Sequence, residues 1–276
     1  MGTLLALASS VSYGVADVAG GLLSRKANPV SVALLGQLSG LVLTLVAALV
    51  LPAADPAAAD LGWGALSGVG TGVAMVFLYR GLGRGAMSVV VPVSAVGGLA
   101  LPVVVGVLLL GDRPSVLAWT GIAVAVPALW LVSRTGRDGG AGSAASIVDA
   151  VVASAGVALQ YLALAQAAPA AGIWPVVVGR LAAAVAILPM VRASLRIPGR
   201  LVAPAAATGA FAALALVCYL LATRQQLVVV AVVLSSLYPA IPVLWGIARL
   251  RERLSRPQVL GLLGAGAAVA LLALGK

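Results

Sequence analysis

The sequence predicts an all-helical membrane protein of ten transmembrane helices, arranged as two inverted five-helix repeats. Composition is the first reason: of 276 residues, 62% are hydrophobic and 9% are charged, whereas a soluble domain is about 25% charged. Length is the second, since a span takes about 20 apolar residues and ten spans leave room only for short loops. An internal repeat that divides the chain near its middle is the third.

Apolar runs bounded by charged residues, Gly or Pro define the predicted spans. The first run has no basic residue before it and no polar stretch after it, so we interpret it as a span rather than a signal peptide. A glycine-rich tight turn at 80–85 is expected between the third and fourth spans. The ten predicted spans are 3–23, 30–51, 61–79, 87–110, 114–133, 145–168, 173–191, 201–222, 227–248 and 257–275.

The two halves are related in sequence. Residues 88–131 align without gaps on 228–271, and 14 of the 44 positions are identical. Five helices per half is an odd number, so the second repeat enters the membrane in the opposite sense, as in alternating-access transporters. We predict a first repeat over 1–133, a linker over 134–144 and a second repeat over 145–276. The most informative matched pairs are Tyr79/Tyr219, Arg84/Arg224, Pro102/Pro242, Gly106/Gly246, Arg113/Arg253, Ser115/Ser255 and Gly121/Gly261.

Composition also excludes several functions. The chain has no histidine and one cysteine, which removes zinc sites, His-based triads and internal disulfides. It has no phosphate-binding P-loop, so ATP does not drive it directly. Of seven acidic residues we place four in loops, Asp55, Asp60, Asp138 and Glu252, too few elsewhere for an intramembrane enzyme. We expect no enzyme activity, no cofactor and no metal.

The pattern around the end of the fourth and ninth helices is similar to the EamA domain of the drug/metabolite transporter superfamily, in two copies that cover nearly the whole chain. The resemblance implies an exporter of small metabolites or drugs with a cavity lined by helices 1, 3, 4, 6, 8 and 9, and with helices 5 and 10 at the periphery. Residues 16–25 are also similar to the first helix of the small multidrug resistance proteins, which carry an essential carboxylate there. The motif residues are Pro102, Gly106, Gly111, Asp112, Arg113 and Ser115, then Arg251, Glu252, Arg253, Ser255, Gln258 and Gly261.

Asp17 is the candidate for coupling or cation binding. It lies well inside the first span, and Ser9, Tyr13, Asp17 and Gly20 share one helical stripe. A carboxylate at this depth must be protonated, paired or turned toward a wet cavity, which suits a group that loads a proton on one side and releases it on the other. The alternative is a structural carboxylate paired with Arg180 or hydrogen-bonded to Tyr13.

Two further charged residues lie in predicted spans. Arg180, in helix 7, is either an anchor for a substrate carboxylate or a counter-ion for Asp17, or else it snorkels to the nearer interface. We favour snorkelling, because the resemblance places helix 7 outside the cavity. Asp149 lies near the start of helix 6, where a solvated helix-end carboxylate is the simpler interpretation.

Polar and aromatic side chains complete the predicted substrate cavity. For Tyr79 and Tyr219 the alternative is an interfacial aromatic belt, and for Trp245 it is simple packing. Prolines in helices 4 and 9 are candidate hinges, while the Gly64, Gly68 and Gly72 series is expected to be a packing seam. The cavity residues are Tyr13, Tyr79, Ser94, Gln160, Tyr219, Ser235, Tyr238 and Trp245, and the hinges are Pro92, Pro102, Pro239 and Pro242.

Loop charges indicate an orientation. Thirteen of the 17 basic residues lie in loops on one side, three lie on the other and Arg180 lies in a span. The positive-inside rule makes the first side cytoplasmic and places both termini outside, whereas the resemblance implies cytoplasmic termini. The net charge of +10 is thus accounted for by orientation, and we expect no nucleic-acid partner.

The sequence thus predicts a secondary exporter in a bacterial cytoplasmic membrane. Its expected partners are a small-molecule substrate such as an amino acid or a drug, protons, and the lipid bilayer, and it is expected to be a monomer or homodimer. The alternatives are an uncoupled facilitator, and a membrane subunit or lipid-handling protein in which Tyr13, Asp17 and Tyr238 would face partners or lipid.

Overall fold

The computed structural model describes residues 1–51, 56–105, 107–108, 115–133, 143–191, 197–223, 225, 234–235 and 237–275. Over these residues the chain is helical, as predicted, with 3-10 turns at Pro169–Ala171 and Leu188–Met190. The described α-helices are α1 Gly2–Ser24, α2 Pro29–Val50, α3 Ala58–Arg84, α4 Met87–Val105, α5 Val116–Ser133, α6 Ala144–Leu164, α7 Trp174–Ile187, α8 Gly199–Thr223, α9 Ala240–Ala248 and α10 Arg256–Leu274.

Six helices in the described part of the chain are long and apolar enough to cross a bilayer: α1, α2, α3, α6, the Gly199–Tyr219 part of α8, and α10. Shorter apolar stretches occupy α4, α5 and α7. The outer surface carries large apolar side chains such as Val42, Leu49 and Leu263, which are 63%, 70% and 68% exposed. Lipid rather than water suits such a surface, and helices satisfy their own backbone groups within it. The chain is a multi-pass membrane protein.

Short polar signals set several helix starts. The Asn28 side chain accepts a hydrogen bond from the Val30 amide at 3.0 Å, with Pro29 at the first helical position of α2. Ser143 caps α6 in the same way through the Ser146 amide at 3.2 Å. At α10 the Gln258 side chain accepts from the Ser255 amide at 2.9 Å, as in a capping box.

The prediction of a tight turn at 80–85 is wrong. Helix α3 continues through Arg84 and the chain leaves the helix only at Gly85. The glycines serve close packing instead: a Cβ on Gly83 would lie 2.9 Å from the Ser24 carbonyl oxygen, and one on Gly81 would lie 3.1 Å from Val90.

Three other predicted segments are only partly covered. The linker falls largely on 134–142, outside the described residues. Of the span predicted over 227–248, positions 226–233 and 236 are likewise not described, and the part that is described contains a turn at 237–239 followed by α9. The predicted span 87–110 is described as α4 up to Val105.

Helices of the first half pack mainly on helices of the second. Helix α3 lies against α6 and α7, and α8 lies against α1 and α2. Helix α4 contacts α6, while α9 contacts α1, and α5 pairs with α10. The predicted glycine seam is confirmed, because a Cβ at Gly64 or Gly68 of α3 would overlap the Pro175 or Gly179 carbonyl of α7.

The bundle has two distinguishable ends. At one, which we call the basic end, α1 and α3 terminate and α4 begins. There Arg25 donates to the carbonyls of Leu82 at 3.4 Å and Gly85 at 3.2 Å. At the opposite end α3 begins and the α6–α7 loop packs beside it, since the Ala168 amide donates to Asp60 at 2.8 Å.

Candidate functional site

Asp17 lies in the interior of the bundle. It is 7% exposed on α1, and among the residues whose placement is described it has neither a hydrogen bond nor an ion pair. Its predicted stripe faces inward: the Tyr79 ring occupies the space where a Gly20 side chain would lie, and Ser9 is fully buried. Asp17 therefore faces protein rather than lipid.

Four of the five tyrosines of the chain interact electrostatically with this carboxylate. Asp17 lies within electrostatic range of Tyr13, Tyr79, Tyr161 and Tyr238, and Tyr219 lies within range of Tyr13. The rings of Tyr13 and Tyr238 are tilted by 56° with their centres 6.0 Å apart. The polar centre is thus built from helices of both halves.

A cavity opens next to this centre. Its interior volume of about 30 Å³ has room for only a few water molecules, and the empty space reaches about 340 Å³ only when the open mouth is included. Leu164 ends α6 and Val176 is in the first turn of α7, so the cavity lies toward the opposite end, and Asp17, one turn beyond Tyr13, lies between it and the basic end. The lining residues are Tyr13, Ser67, Thr71, Gln160, Leu164, Val176, Gly179, Arg180 and Leu216.

Arg180 brings a positive charge to the cavity wall. Its side chain is 7% exposed, and its Nη1 donates to the Gln37 amide oxygen at 3.1 Å. Gly40 makes room for it, since a Cβ there would lie 3.6 Å from the guanidinium. Our preference for snorkelling is therefore wrong. Within the described part of the chain Arg180 is not ion-paired with Asp17, and no hydrogen bond joins Asp17 to Tyr13 there. Neither partner predicted for Asp17 is therefore in place among the described residues.

The expected set of cavity helices also needs correction. Helix α7 lines the cavity although the resemblance excluded it, because the glycine seam brings α7 close to α3 and turns Arg180 inward. No residue of α4 or α9 is in the described lining. The sequence analysis did not predict Ser67 and Thr71, which lie one turn apart on α3, and it did not predict Tyr161. The spacing of the Ser67 and Thr71 hydroxyls beside the glycine series could have indicated the first two.

Of the predicted cavity residues, Tyr13 and Gln160 line the cavity and the others lie elsewhere. Tyr79 is 4% exposed against α1, so it belongs neither to the lining nor to an interfacial belt, and Ser94 is 4% exposed within α4. Tyr219 packs near Ala6 and Ala222. Ser235 donates to the Ala6 carbonyl at 3.4 Å.

Tyr238 lies in the turn before α9, and Trp245 lies within α9. Tyr238 is half-buried beside Tyr13 and does not belong to the described lining. Trp245 is 37% exposed and carries the Arg249 guanidinium 5.8 Å from its ring centre. Trp245 is therefore turned away from the cavity and packs with a charged neighbour.

The four prolines do not occupy equivalent positions. Pro92 and Pro102 lie inside α4, which stays helical around them. Pro239 is the N-cap of α9 and Pro242 lies in its first turn. A turn at 237–239 thus precedes α9, and Gly14 of α1 allows this turn to approach, since a Cβ there would lie 2.9 Å from the Tyr238 carbonyl oxygen.

Three other carboxylates connect the two halves of the chain. Asp149 is 3% exposed and pairs with Arg80 at 3.5 Å and Arg84 at 3.4 Å, so it is not the solvated helix end that we expected. Glu252 accepts from the Met87 amide at 2.8 Å and the Ser88 amide at 3.0 Å. Glu252 and Asp60, predicted to be loop carboxylates, therefore hold helix starts and neighbouring segments together.

Apolar helices surround a polar centre that holds a buried carboxylate, a buried arginine and a small open cavity. These features define the class as a multi-pass membrane protein with an internal polar site. Residues 1–134 match the EamA-like transporter family. This match over slightly less than half of the chain confirms the resemblance for the first repeat and indicates a membrane transporter.

Several solved protein chains have a similar fold, and one of them is a crystal structure. It covers 98% of this chain and 96% of its own length with a TM-score of 0.60, at 17% sequence identity. That likeness extends the shared fold over both halves of the chain. No protein of curated function matches this chain in sequence.

Proposed function

We propose that the protein is a proton-coupled exporter of small metabolites, such as amino acids, or of drugs, and that it works by alternating access in a bacterial cytoplasmic membrane. The observation that carries the proposal is Asp17, buried without a described partner one turn from a cavity residue. Ionisable groups inside a membrane mark ion or substrate pathways, and three of the four described carboxylates already have structural partners.

The arrangement of helices supports the inverted repeat on which alternating access depends. Contacts of α1 with α8 and α9 have counterparts in those of α6 with α3 and α4, and contacts of α2 with α8 have a counterpart in those of α7 with α3. The exchange of each helix for its repeat partner thus preserves the main contacts. Two such halves can rock around a central site.

The present state is closed at the basic end. Asp149 and Glu252 tie the halves together there, while the cavity lies toward the opposite end. By the positive-inside rule the basic end is cytoplasmic, so this conformation faces outward. Asp17 lies on the closed side of Tyr13, where a change of state would transfer it from one aqueous compartment to the other.

Proton movement in proteoliposomes tests the proposal. A pH gradient is imposed across vesicles with a trapped pH-sensitive dye, and amino acids, nucleosides and lipophilic cations are added in turn. We expect one compound class to dissipate the gradient with the wild type but not with Asp17→Asn. Asp60→Asn is the matched control, because it also removes a buried carboxylate but leaves the central site intact.

Each of the other outcomes would contradict one part of the proposed function. Dissipation by Asp17→Asn at the wild-type rate would remove the coupling role. Solute movement that ignores the gradient would indicate a facilitator, and no movement of any compound would indicate a role without transport. Substrate exchange at equal pH on both sides, expected to survive in Asp17→Asn, separates loss of coupling from loss of folding.

A further inference from the structure

We infer that the cavity selects solutes that carry one carboxylate, and that Arg180 is the residue that binds it. This inference rests on the proposed transport function and specifies the substrate class of the same cavity. Its basis is the placement of Arg180, which is 93% buried, lines the cavity and has no acidic partner in the described structure.

The charge on Arg180 is permanent, because a guanidinium is not deprotonated in proteins. Its described partner, the Gln37 amide at 3.1 Å, is neutral and occupies Nη1. Burying an uncompensated charge is costly, and the other donors of the planar fork match a carboxylate in geometry. An anionic solute would therefore supply the missing negative charge.

The other lining groups agree with this chemistry. Ser67, Thr71, Tyr13 and Gln160 supply neutral hydroxyl and amide groups, and Leu164, Val176 and Leu216 supply an apolar wall. No carboxylate belongs to the described lining, so nothing there would repel an anion. A single arginine neutralises a single charge, which favours a carboxylate over a doubly charged phosphate. The neutral wall would hold the uncharged part of the solute.

Matched acid and amide probes test the assignment. Purified protein is titrated with phenylacetate and phenylacetamide, leucine and leucinamide, and phenylphosphonate, and binding is measured as the shift in thermal unfolding midpoint. We expect wild type to bind a carboxylate at least about tenfold more tightly than its amide and to favour it over the phosphonate, as for a charge-assisted hydrogen bond. Arg180→Gln should lose this preference and Arg180→Lys should keep part of it.

The Gln37→Leu variant separates an effect on ligand binding from an effect on the stability of the protein. It removes the same hydrogen bond but leaves the guanidinium in place, so both variants lose stability while only Arg180→Gln loses the acid-to-amide ratio. Equal loss of that ratio in both variants would overturn the inference, as would wild type that binds acids and amides equally or binds no acid. Preferred binding of the phosphonate would also overturn the carboxylate assignment.

A failure of the proposed transport function can be distinguished from a failure of the carboxylate assignment. If wild type and Arg180→Gln move a lipophilic cation across proteoliposomes at equal rates, transport stands and the carboxylate assignment is wrong. If wild type moves no solute but binds carboxylates through Arg180, the inference stands as a binding site and the transport proposal is wrong.

Discussion

Single glycines determine how closely α3 approaches α7. At Gly68 the carbonyl of Gly179 fills the space that a Cβ would need, whereas nothing lies within 4 Å of the corresponding position at Gly62, six residues earlier on the same helix. The carbonyl belongs to a helix backbone and cannot rotate away as a side chain could. The same substitution on one helix therefore has opposite effects at the two positions.

We predict that Gly68→Ala lowers the free energy of unfolding by about 1–3 kcal/mol, as expected for overpacking. Gly62→Ala should raise it by about 0.5–1 kcal/mol, because alanine favours the helix. Titration of the purified protein from mild detergent into dodecyl sulfate, followed by tryptophan fluorescence, gives both values. Two variants of equal stability would show that α3 and α7 do not pack at this seam.

Predictions about single residues agreed with the structure where they depended on the spacing within one helix. The stripe of Ser9, Tyr13, Asp17 and Gly20 follows from helical spacing alone, and it faces the interior. The prediction for Arg180 was wrong because the environment of this residue depends on other helices. Gly40 of α2 and Gly179 of α7 leave the space into which its side chain turns. A sequence without a known helix arrangement gives no sign of that space, so snorkelling was the simpler expectation.

At the scale of elements, the start of α4 depends on a residue from the other half of the chain. The first amides of a helix lack intrahelical partners, and Glu252 accepts from those of Met87 and Ser88 while also accepting the Ser88 hydroxyl at 2.6 Å. Arg25 lies 4.0 Å from the same carboxylate. One side chain therefore caps a helix and joins the two halves at the basic end.

Removing this cap should open the basic end. Glu252→Ala is expected to cost about 0.5–2 kcal/mol, the usual cost of a lost cap, and to increase maleimide labelling of a cysteine at Leu82, which is fully buried in the wild type. The assay uses Leu82→Cys in a Cys218→Ala background. Ser255→Ala is the control, since it weakens the cap of α10 within one half; equal labelling in both would contradict a joining role for Glu252.

Element boundaries were predictable where a capping side chain was local in sequence. Asn28, Ser143 and Ser255 lie directly before their helices and mark the starts of α2, α6 and α10. The end of α3 was mispredicted because Gly81 and Gly83 look like turn residues, yet they permit contact with Val90 and Ser24. The cap of α4 could not be predicted either, because Glu252 lies far away in the chain.

In the molecule as a whole, the internal repeat predicted more of the helix packing than any single motif did. The relation between 88–131 and 228–271 indicates two similar halves, and the described contacts are largely preserved when each helix is exchanged for its repeat partner. The central cavity departs from that symmetry, since Arg180 of α7 faces it whereas no residue of α2 belongs to its described lining. We therefore expect the residues that differ between the halves to determine which substrate binds.

Cysteine labelling tests which side the cavity faces. Leu164 ends α6, lines the cavity toward the opposite end and is partly exposed, and the loop charges predict that the basic end is cytoplasmic. A cysteine at Leu164 in the Cys218→Ala background should thus react with a membrane-impermeant maleimide added to intact cells. Thr44→Cys is the control, because Thr44 is fully buried in α2 and should stay unlabelled. Labelling of Leu164→Cys only in inverted vesicles would place the basic end outside, so that the cavity described here would face the cytoplasm.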